Sequence, residues 1–224
     1  MPRRKNQAER RAHLVDAATA AILEHGATAT KLRDVAAAAG VTPAAVLYYY
    51  PDLQAVFAAV LEHSRETFCE LREAQIDAAS NAVDQLRACI RSGVPWPGRA
   101  ELSTRLLIEL FPLTLRGEES ERQQRTFAAR QVTLYREVLQ RGADDGVFTL
   151  AAPAEDLARS FLALEDGYAM DLMAGIETPQ GVQARLLLHA RIVTGSEALD
   201  APAHDVVQRA TASDAAVRRR QPQR

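Results

Sequence analysis

Residues 30–57 read TKLRDVAAAAGVTPAAVLYYYPDLQAVF, and this stretch decides the fold of the N-terminal part of the chain. Thr30 is predicted to cap a short helix, and Gly40 to end it where a tight turn needs a positive φ. Thr42 and Pro43 then start the next helix, because threonine caps well and proline at the first position loses no hydrogen bond. The pattern therefore predicts two short helices joined by a tight turn.

The second of these helices has the properties of a helix that enters the major groove of DNA. A small apolar core on its inner side would leave the outer face free. Hydroxyl groups on that face can donate to phosphate oxygens, and alanines allow a deep approach. With nearby basic residues included, the expected DNA contacts are Arg3, Arg4, Lys5, Thr30, Lys31, Thr42, Pro43, Ala44, Ala45, Tyr48 and Tyr49. The alternative is a helical hairpin that only packs a core.

The charge distribution supports a partner with negative charge at the N-terminal end. The whole chain of 224 residues has a net charge of −2. Its first fifty residues, however, contain seven Lys or Arg against four Asp or Glu, a net charge of +3. A basic head on an acidic body is the asymmetry expected of a DNA-binding domain joined to another domain. The basic residues at 3–5 could also be a solvated terminus.

Beyond this stretch, apolar spacing and turn residues predict an all-α protein of about nine helices. The domains are predicted as a three-helix DNA-binding unit (1–52), a ligand-binding and dimerisation unit (53–199) and a disordered tail (200–224). Cys69 and Cys89 fall within apolar helical patterns, which indicates buried thiols. Further helices are predicted near 7–25, 52–78, 80–92, 99–111, 119–144, 153–174 and 178–195.

Residues 30–57 resemble the TetR family of bacterial transcriptional regulators. The matching residues are Thr30, Asp34, Val35, Ala36, Ala39, Gly40, Val41 and Thr42, followed by Tyr50, Pro51, Asp52 and Val56. Three positions depart from the family pattern. Val46-Leu47 replaces the usual Leu-Tyr pair, Tyr50 replaces Phe, and Leu53 replaces the Lys that opens the fourth helix. Two common phosphate contacts are therefore missing. Residues 163–168 (ALEDGY) are similar to the choline-responsive and polyamine-responsive members.

The resemblance implies a homodimer. Apolar stripes on the last two helices would then pair with their symmetry mates in a four-helix interface. The alternative is that these stripes face only the core of their own chain. The residues expected in the interface are Leu157, Phe161, Leu164, Leu172, Val182, Leu186, Ala190 and Val193.

The resemblance also implies a pocket for a small molecule. Glu165 lies among apolar helical neighbours, and a carboxylate in such a place needs a partner or a cavity. Acidic and aromatic side chains together can bind a cation. The expected ligand-binding residues are Trp96, Glu109, Phe111, Tyr135, Glu165, Asp166, Tyr168 and Asp171. For Glu109, pairing with Arg105 one helical turn earlier is the alternative.

Other classes of function are less well supported. The five histidines show no metal-ligand spacing, and no P-loop or nucleophile motif occurs, so we expect neither an enzyme nor a metal or other cofactor. No secretory signal or membrane span is evident. We expect a bacterial cytoplasmic repressor that a small amphipathic cation releases from a near-palindromic operator. The alternative is a helical adaptor that binds protein and not DNA.

Overall fold

The computed structural model describes residues 2–115 and 117–200, with residues 2–6 and 200 described in their backbone alone. This part of the chain is all-α, as predicted. It contains α1 (Pro2–His25), α2 (Leu32–Ala38), α3 (Pro43–Tyr49), α4 (Leu53–Asp77), α5 (Ala82–Gly93), α6 (Arg99–Leu110), α7 (Glu118–Asp144), α8 (Ala154–Met173) and α9 (Pro179–Thr194), with 3₁₀ helices at Phe111–Leu115 and Glu197–Asp200. The tail predicted as disordered lies, from residue 201 on, outside the described residues.

The turn chemistry around α3 is the predicted one. Gly40 has φ +65°, which a side chain would make costly. The Thr42 hydroxyl accepts a hydrogen bond from the Ala45 N–H at 3.2 Å, and Pro43 occupies the first helical position. The Asp52 carboxylate accepts from the Ala55 N–H at 2.8 Å and so caps α4. These local hydrogen bonds fix where α3 begins and where the long helix after it starts.

The start of α2 differs from the prediction. The cap residue is Lys31, and Thr30 lies in the preceding turn with only 4% of its surface exposed. Its hydroxyl donates instead to the Gly26 carbonyl oxygen at 2.8 Å. The prediction of a Thr30 cap was wrong because the hydroxyl is used to close the turn that follows α1.

Helix α1 begins at Pro2, so residues 3–5 belong to its first turns rather than to an arm before it. The side chains of Arg3, Arg4 and Lys5 lie outside the described residues, and their predicted DNA contacts stay predictions.

Two apolar cores share the helix α4. The N-terminal core joins α1, α2 and α3 to the first half of α4, and it also takes Leu106 and Leu110 from α6. The second core, in the body, is built from the end of α4 with α5, α7, α8 and α9. The predicted domain boundary at residue 52 therefore falls in the loop before α4. The two units are nevertheless in contact, because α4 and α6 both pack against the N-terminal unit.

The stripes that were expected at a dimer interface face the core of their own chain. Leu164 and Leu172 are half-buried and pack against that core. Because α8 and α9 cover the body of the same chain, the other six residues are buried in its core and cannot contact a partner. These six are Leu157, Phe161, Val182, Leu186, Ala190 and Val193. The interface prediction was therefore wrong for these six residues, and for Leu164 and Leu172 it stays a prediction.

Among the described residues, no single helix is long and apolar enough to cross a membrane. The bent pair formed by α3 and α4, with 62° between them, passes that test by length and composition only.

Candidate nucleic-acid interface and ligand site

The outer face of α3 is exposed while its inner side is held in the N-terminal core. Val46 is fully buried, and Tyr50 follows α3 with 8% exposure. By contrast, Tyr48 is 72% exposed. The exposed residues of this face are Thr42, Pro43, Ala44, Leu47 and Tyr48, with Ala45 and Tyr49 half-buried beside them. The helix is thus fixed from behind and presents its side chains outward, as a reading helix must.

Tyr48 and Tyr49 differ in how they are held. Their rings meet edge to face with centroids 5.0 Å apart. Tyr49 is half-buried and packs against the N-terminal core, whereas Tyr48 stands free of it. Both hydroxyls can donate to a phosphate or reach a base edge. Leu53, at the position of the missing lysine, is half-buried against the same core.

Around α3, the basic side chains are spread over two other helices. Lys31 is exposed at the start of α2, and Arg33 is exposed two residues later. On α1, Arg10 and Arg11 are exposed, and the Arg11 guanidinium lies 5.4 Å from the centre of the Tyr50 ring at the end of α3. Sequence reasoning counted Arg10, Arg11 and Arg33 in the charge but did not place them. The contact of Arg11 with Tyr50 joins residues 39 positions apart, which no local pattern reveals.

Thr30 does not belong to this interface. Its hydroxyl is buried and donates to carbonyl oxygens of Gly26 and, at 3.2 Å, of Ala21. The nearby ring nitrogen Nε2 of His13 lies 3.0 Å from the Ala39 carbonyl oxygen. These contacts hold α1 against the helix-turn-helix, so Thr30 supports the interface from inside instead of touching DNA.

Glu109 lies on α6 but at the contact between the two cores. Its carboxylate accepts a hydrogen bond from the Ala27 N–H at 2.8 Å, just after α1 ends. Its other oxygen lies 3.7 Å from Nε of Arg105. Glu109 therefore ties α6 to the turn between α1 and α2, and its binding of a ligand stays a prediction.

In the middle of the body, five polar side chains form one buried hydrogen-bonded group, here called the Arg72 cluster: Arg72, Ser92, Gln131, Tyr135 and Glu165. Nη2 of Arg72 lies 2.8 Å from both carboxylate oxygens of Glu165. Nη1 donates to Oε1 of Gln131 at 2.5 Å, and Nε donates to the Ser92 hydroxyl at 2.9 Å. The Tyr135 hydroxyl donates to Glu165 at 2.5 Å. Four helices, α4, α5, α7 and α8, thus meet at one guanidinium.

Aromatic faces complete the surroundings of this guanidinium. Its carbon lies 5.1 Å from the centre of the Phe68 ring and 5.4 Å from that of Tyr135. The Tyr135 ring in turn stacks on Phe161 with centroids 4.7 Å apart. Cationic groups are attracted to the faces of such rings, more strongly where water is excluded. Arg72 therefore makes both kinds of contact by which proteins bind an organic cation, namely hydrogen bonds to a carboxylate and contacts with aromatic rings.

The charges of the cluster depend on each other. Burial acts to lower the pKa of Arg72, but the Glu165 carboxylate and other neighbours outweigh it, and the pKa is raised. Burial also raises the pKa of Tyr135 well above its usual value, and Glu165 adds to the effect. Burial raises the pKa of the Cys89 thiol to about 12. The guanidinium of the cluster is therefore charged, with a neutral phenol at Tyr135 and a neutral thiol at Cys89 nearby.

Packing around the cluster is tight. A side chain at Gly93 would overlap both the Glu165 carboxylate and the Arg72 guanidinium. Glu165, predicted as a free acceptor for a ligand, is 6% exposed and already paired. Its partner is 93 residues away in sequence, which is why no spacing rule revealed it.

Of the other residues predicted to bind a ligand, only Tyr135 joins Glu165 in the cluster. Trp96 and Tyr168 pack against the body core, and the Trp96 ring lies 5.4 Å from the Arg91 guanidinium. Phe111 is 47% exposed at the end of α6, Asp166 is exposed on the outer side of α8, and Asp171 is half-buried near its end. These three do not line the Arg72 cluster.

A cleft of about 230 Å³ opens between α4 and α7 beside the cluster. Its floor includes Cys69, whose sulfur accepts a hydrogen bond from Gln131 at 2.9 Å. Its charged groups are largely paired: Arg122 with Glu119, and Arg130 with Glu66. Arg65, only 4% exposed, donates to Gln124 at 2.6 Å, while its Nε has no partner among the described residues. Two hydrogen bonds, from Gln131 to Cys69 and from Arg72 to Gln131, link the floor of the cleft to the cluster.

No group of three or more potential metal ligands occurs within the described ranges 2–115 and 117–200.

Two family models match the chain. Residues 14–60 match the model of bacterial regulatory proteins of the tetR family, and residues 82–195 match the C-terminal model of BetI-type transcriptional repressors. The first match covers the helix-turn-helix and the start of α4. The second covers the body, from α5 to the end of α9, and spans half of the chain.

Solved structures with the same fold include three of particular interest. A TetR transcription regulator from Haloarcula marismortui has TM-score 0.75 and 22% identity, covering 84% of this chain and 99% of its own. A transcriptional regulator from Saccharomonospora viridis in complex with choline has TM-score 0.74 and 18% identity, with coverages of 80% and 94%. SmeT, the repressor of the Stenotrophomonas maltophilia multidrug efflux pump SmeDEF, has TM-score 0.66 and 21% identity, with coverages of 87% and 94%. No curated protein matches the chain in sequence.

Proposed function

Because the chain belongs to the TetR family of bacterial transcriptional regulators, whose members bind operator DNA and small-molecule effectors as homodimers, we propose how this protein does each. It is a regulator and not an enzyme, and the adaptor alternative is not favoured. We propose a repressor, acting in the bacterial cytoplasm, that reads a near-palindromic operator with α3 and leaves it when a small cation binds in the body.

The exposed face of α3, fixed on a buried Val46, is the observation that carries the DNA-binding proposal. We infer that Thr42, Pro43, Ala44, Ala45, Tyr48 and Tyr49 face the major groove, and that Lys31, Arg10 and Arg33 contact the phosphates. Thr42 caps α3 by accepting a hydrogen bond, which leaves its proton to donate to a phosphate oxygen. The apolar Leu47 and Leu53 contribute no such contact, so the arginines must supply more of the attraction.

Dimerisation is proposed through the outer side of α8 and α9. On α8 this side carries small and apolar residues, including Ala163, Gly167 and Met170, and Met170 is 56% exposed. On α9, Leu188 and Ile192 are exposed by 51% and 68%. They recur one turn apart, beside Ala184, and large exposed apolar residues in a row are typical of a protein interface. Small residues on α8 would let the two copies approach closely.

In such a dimer the two copies of α3 should enter successive major grooves, about 34–36 Å apart along the DNA. An effector that favours another arrangement of the body would change this spacing and release the operator. The choline bound by the Saccharomonospora viridis regulator supports an effector with positive charge here. Choline is a quaternary ammonium, so it carries no information about N–H donors on the effector of this protein.

Binding to duplexes selected from a random DNA library, measured by fluorescence anisotropy, tests the proposal. We expect selection of a near-palindromic sequence and a steep loss of affinity as the salt concentration rises. Selection of no sequence, or binding that is insensitive to salt, would refute DNA reading by α3. Adding a panel of small cations, anions and neutral compounds to the complex then tests the effector: release by anions alone would contradict a cationic effector.

A further inference from the structure

The Arg72 guanidinium is surrounded by the kinds of groups that surround a bound organic cation. A carboxylate, an amide carbonyl and a hydroxyl accept its hydrogen bonds, and two aromatic rings lie near its guanidinium carbon. Only 1% of its surface is exposed. Charge-assisted hydrogen bonds and ring faces are the means by which proteins bind organic cations. The body thus contains a complete cation site that is filled by one of its own side chains.

Stability alone gives little reason for such a site. Well-packed apolar side chains of similar volume are often as stabilising as a buried ion pair, because taking both charges out of water is costly. The pair also lies where four helices meet, in the domain that receives the effector. The position of the pair therefore calls for a role beyond stability, and exchange of one cation for another is such a role.

We propose that the Arg72 guanidinium occupies the cation site of the effector, and that the effector is an organic cation bearing N–H donors, of the alkylguanidinium or primary ammonium class, which displaces Arg72 from Glu165. This inference rests on the proposed function, since it names the chemistry of the effector and the contact that it breaks.

The acceptors of the site select for N–H donors. Gln131 Oε1 and the Ser92 hydroxyl each accept one hydrogen bond from Arg72, and Glu165 accepts the rest. A guanidinium or primary ammonium group can satisfy them again. A quaternary ammonium has no N–H, so it would leave buried acceptors without donors, which is unfavourable. The site should therefore discriminate against fully methylated cations of equal charge.

The cleft between α4 and α7 provides the approach. Its floor residue Cys69 is hydrogen-bonded to Gln131, and Gln131 is hydrogen-bonded to Arg72. The lining of the cleft carries three carboxylates, each paired with an arginine, so a cation that enters it competes with Arg65, Arg122 and Arg130 for these acceptors. Rotation of the Gln131 side chain would open the way to Glu165, and the alkyl part of the effector would remain in the cleft against Phe127.

Displacement would change the link between the body and the DNA-binding unit. Arg72 is on α4, which begins at Leu53 in the N-terminal core, and Glu165 is on α8, which forms the proposed dimer face. The ion pair fixes α4 to α8, so its loss frees α4 to move relative to the dimer. The effector would then favour the arrangement in which the two copies of α3 no longer match the operator.

Isothermal titration calorimetry on the DNA-free dimer tests this with propylguanidinium, butylammonium and tetramethylammonium. We expect the first two to bind the wild type and the third to bind at least about tenfold more weakly. Glu165→Gln should weaken binding by about tenfold or more, and Arg72→Ala should strengthen it by a similar factor by removing the internal competitor. Glu121→Gln, in a surface pair with Arg125 on α7, is the matched control and should bind like the wild type.

Three results would overturn the proposal: binding by Arg72→Ala but none by the wild type, equal binding of tetramethylammonium, or unchanged binding by Glu165→Gln. If Arg72→Ala does not fold, the wild type and Glu165→Gln decide the matter, and Tyr135→Phe, which keeps the ring and removes one hydrogen bond to Glu165, should bind measurably more weakly. The titration contains no DNA, so it does not depend on operator binding. If none of the cations binds but the protein still binds its operator, this inference alone is rejected. If the protein does not bind an operator, the proposed function is rejected.

Discussion

The stability of the Arg72–Glu165 pair gives the sharpest test of how the body is held together. Arg72→Met should lower the free energy of unfolding by about 3–5 kcal/mol, because it leaves a buried carboxylate without its cation. Glu165→Met should cost a similar amount for the opposite reason. Both side chains are at least nine-tenths buried, so solvent screens neither charge.

The double variant separates a lost pair from lost packing. With both charges gone, the remaining cost is that of the Gln131 carbonyl and the Tyr135 hydroxyl, which lose their partners in the cluster. Unsatisfied buried groups cost about 1–3 kcal/mol each, so the double variant should be no less stable than either single one. A double-variant cycle should therefore show a coupling energy of several kcal/mol.

Urea unfolding followed by circular dichroism, at one fixed protein concentration because the protein is a dimer, provides these free energies. Removing the surface pair of Glu121 and Arg125, one turn apart on α7, is the control and should change stability by about 0.5 kcal/mol or less. The reasoning would be refuted if Arg72→Met stayed within about 1 kcal/mol of the wild type, or if the two single effects simply added.

Three further predictions concern the DNA-binding and dimer surfaces. Tyr49→Phe should weaken operator binding by about three- to tenfold per lost hydrogen bond, and Tyr48→Phe should weaken it by at least as much. Fluorescence anisotropy measures the affinity, and both variants should still form dimers. Unchanged affinity in both variants would show that the two hydroxyls do not contact DNA. Glu109→Ala should reduce the release of the operator by the effector, because it removes the hydrogen bond to the Ala27 N–H that joins α6 to the turn after α1. Calorimetry should show unchanged binding of the effector. Unaltered release would show that this hydrogen bond does not connect the body to the DNA-binding unit. Ile192→Glu should yield monomers in analytical ultracentrifugation, whereas the matched control Leu102→Glu, which charges an exposed leucine on α6, should remain dimeric. A dimeric Ile192→Glu would place the interface elsewhere.

Local sequence signals predicted the helix-turn-helix well because its hydrogen bonds are local. Thr42 and Asp52 each cap a helix through an N–H three residues ahead, and a pattern of that length can be recognised directly. Thr30 shows where this reasoning ends. The same residue type closes a turn with Gly26 and Ala21 instead, because the way in which α1 meets α2 decides which partner is nearer.

Apolar periodicity located α8 and α9 but could not say what covers each stripe. Leu186 and Ile192 lie on the same helix, yet one is fully buried in its own chain and the other is 68% exposed. A stripe of apolar residues predicts that a helix face is buried, whether by its own chain or by a partner. Only the arrangement of α8 and α9 over the body distinguishes the two sides, and it assigns the more apolar side to the core.

Glu165 and Glu109 show how a correct physical premise can still lead to different roles. Each is a carboxylate in an apolar run, and each does have the partner that such a position demands. For Glu165 that partner is the guanidinium on α4, and for Glu109 it is the Ala27 N–H that follows α1. Both contacts join a helix of the body to an element that reaches the DNA-binding unit. A cation that breaks the contact between Glu165 and Arg72 therefore acts on α4. The contact between Glu109 and Ala27 keeps α6 attached to the turn after α1. Binding in the body would thus be transmitted to α3 through these two acids.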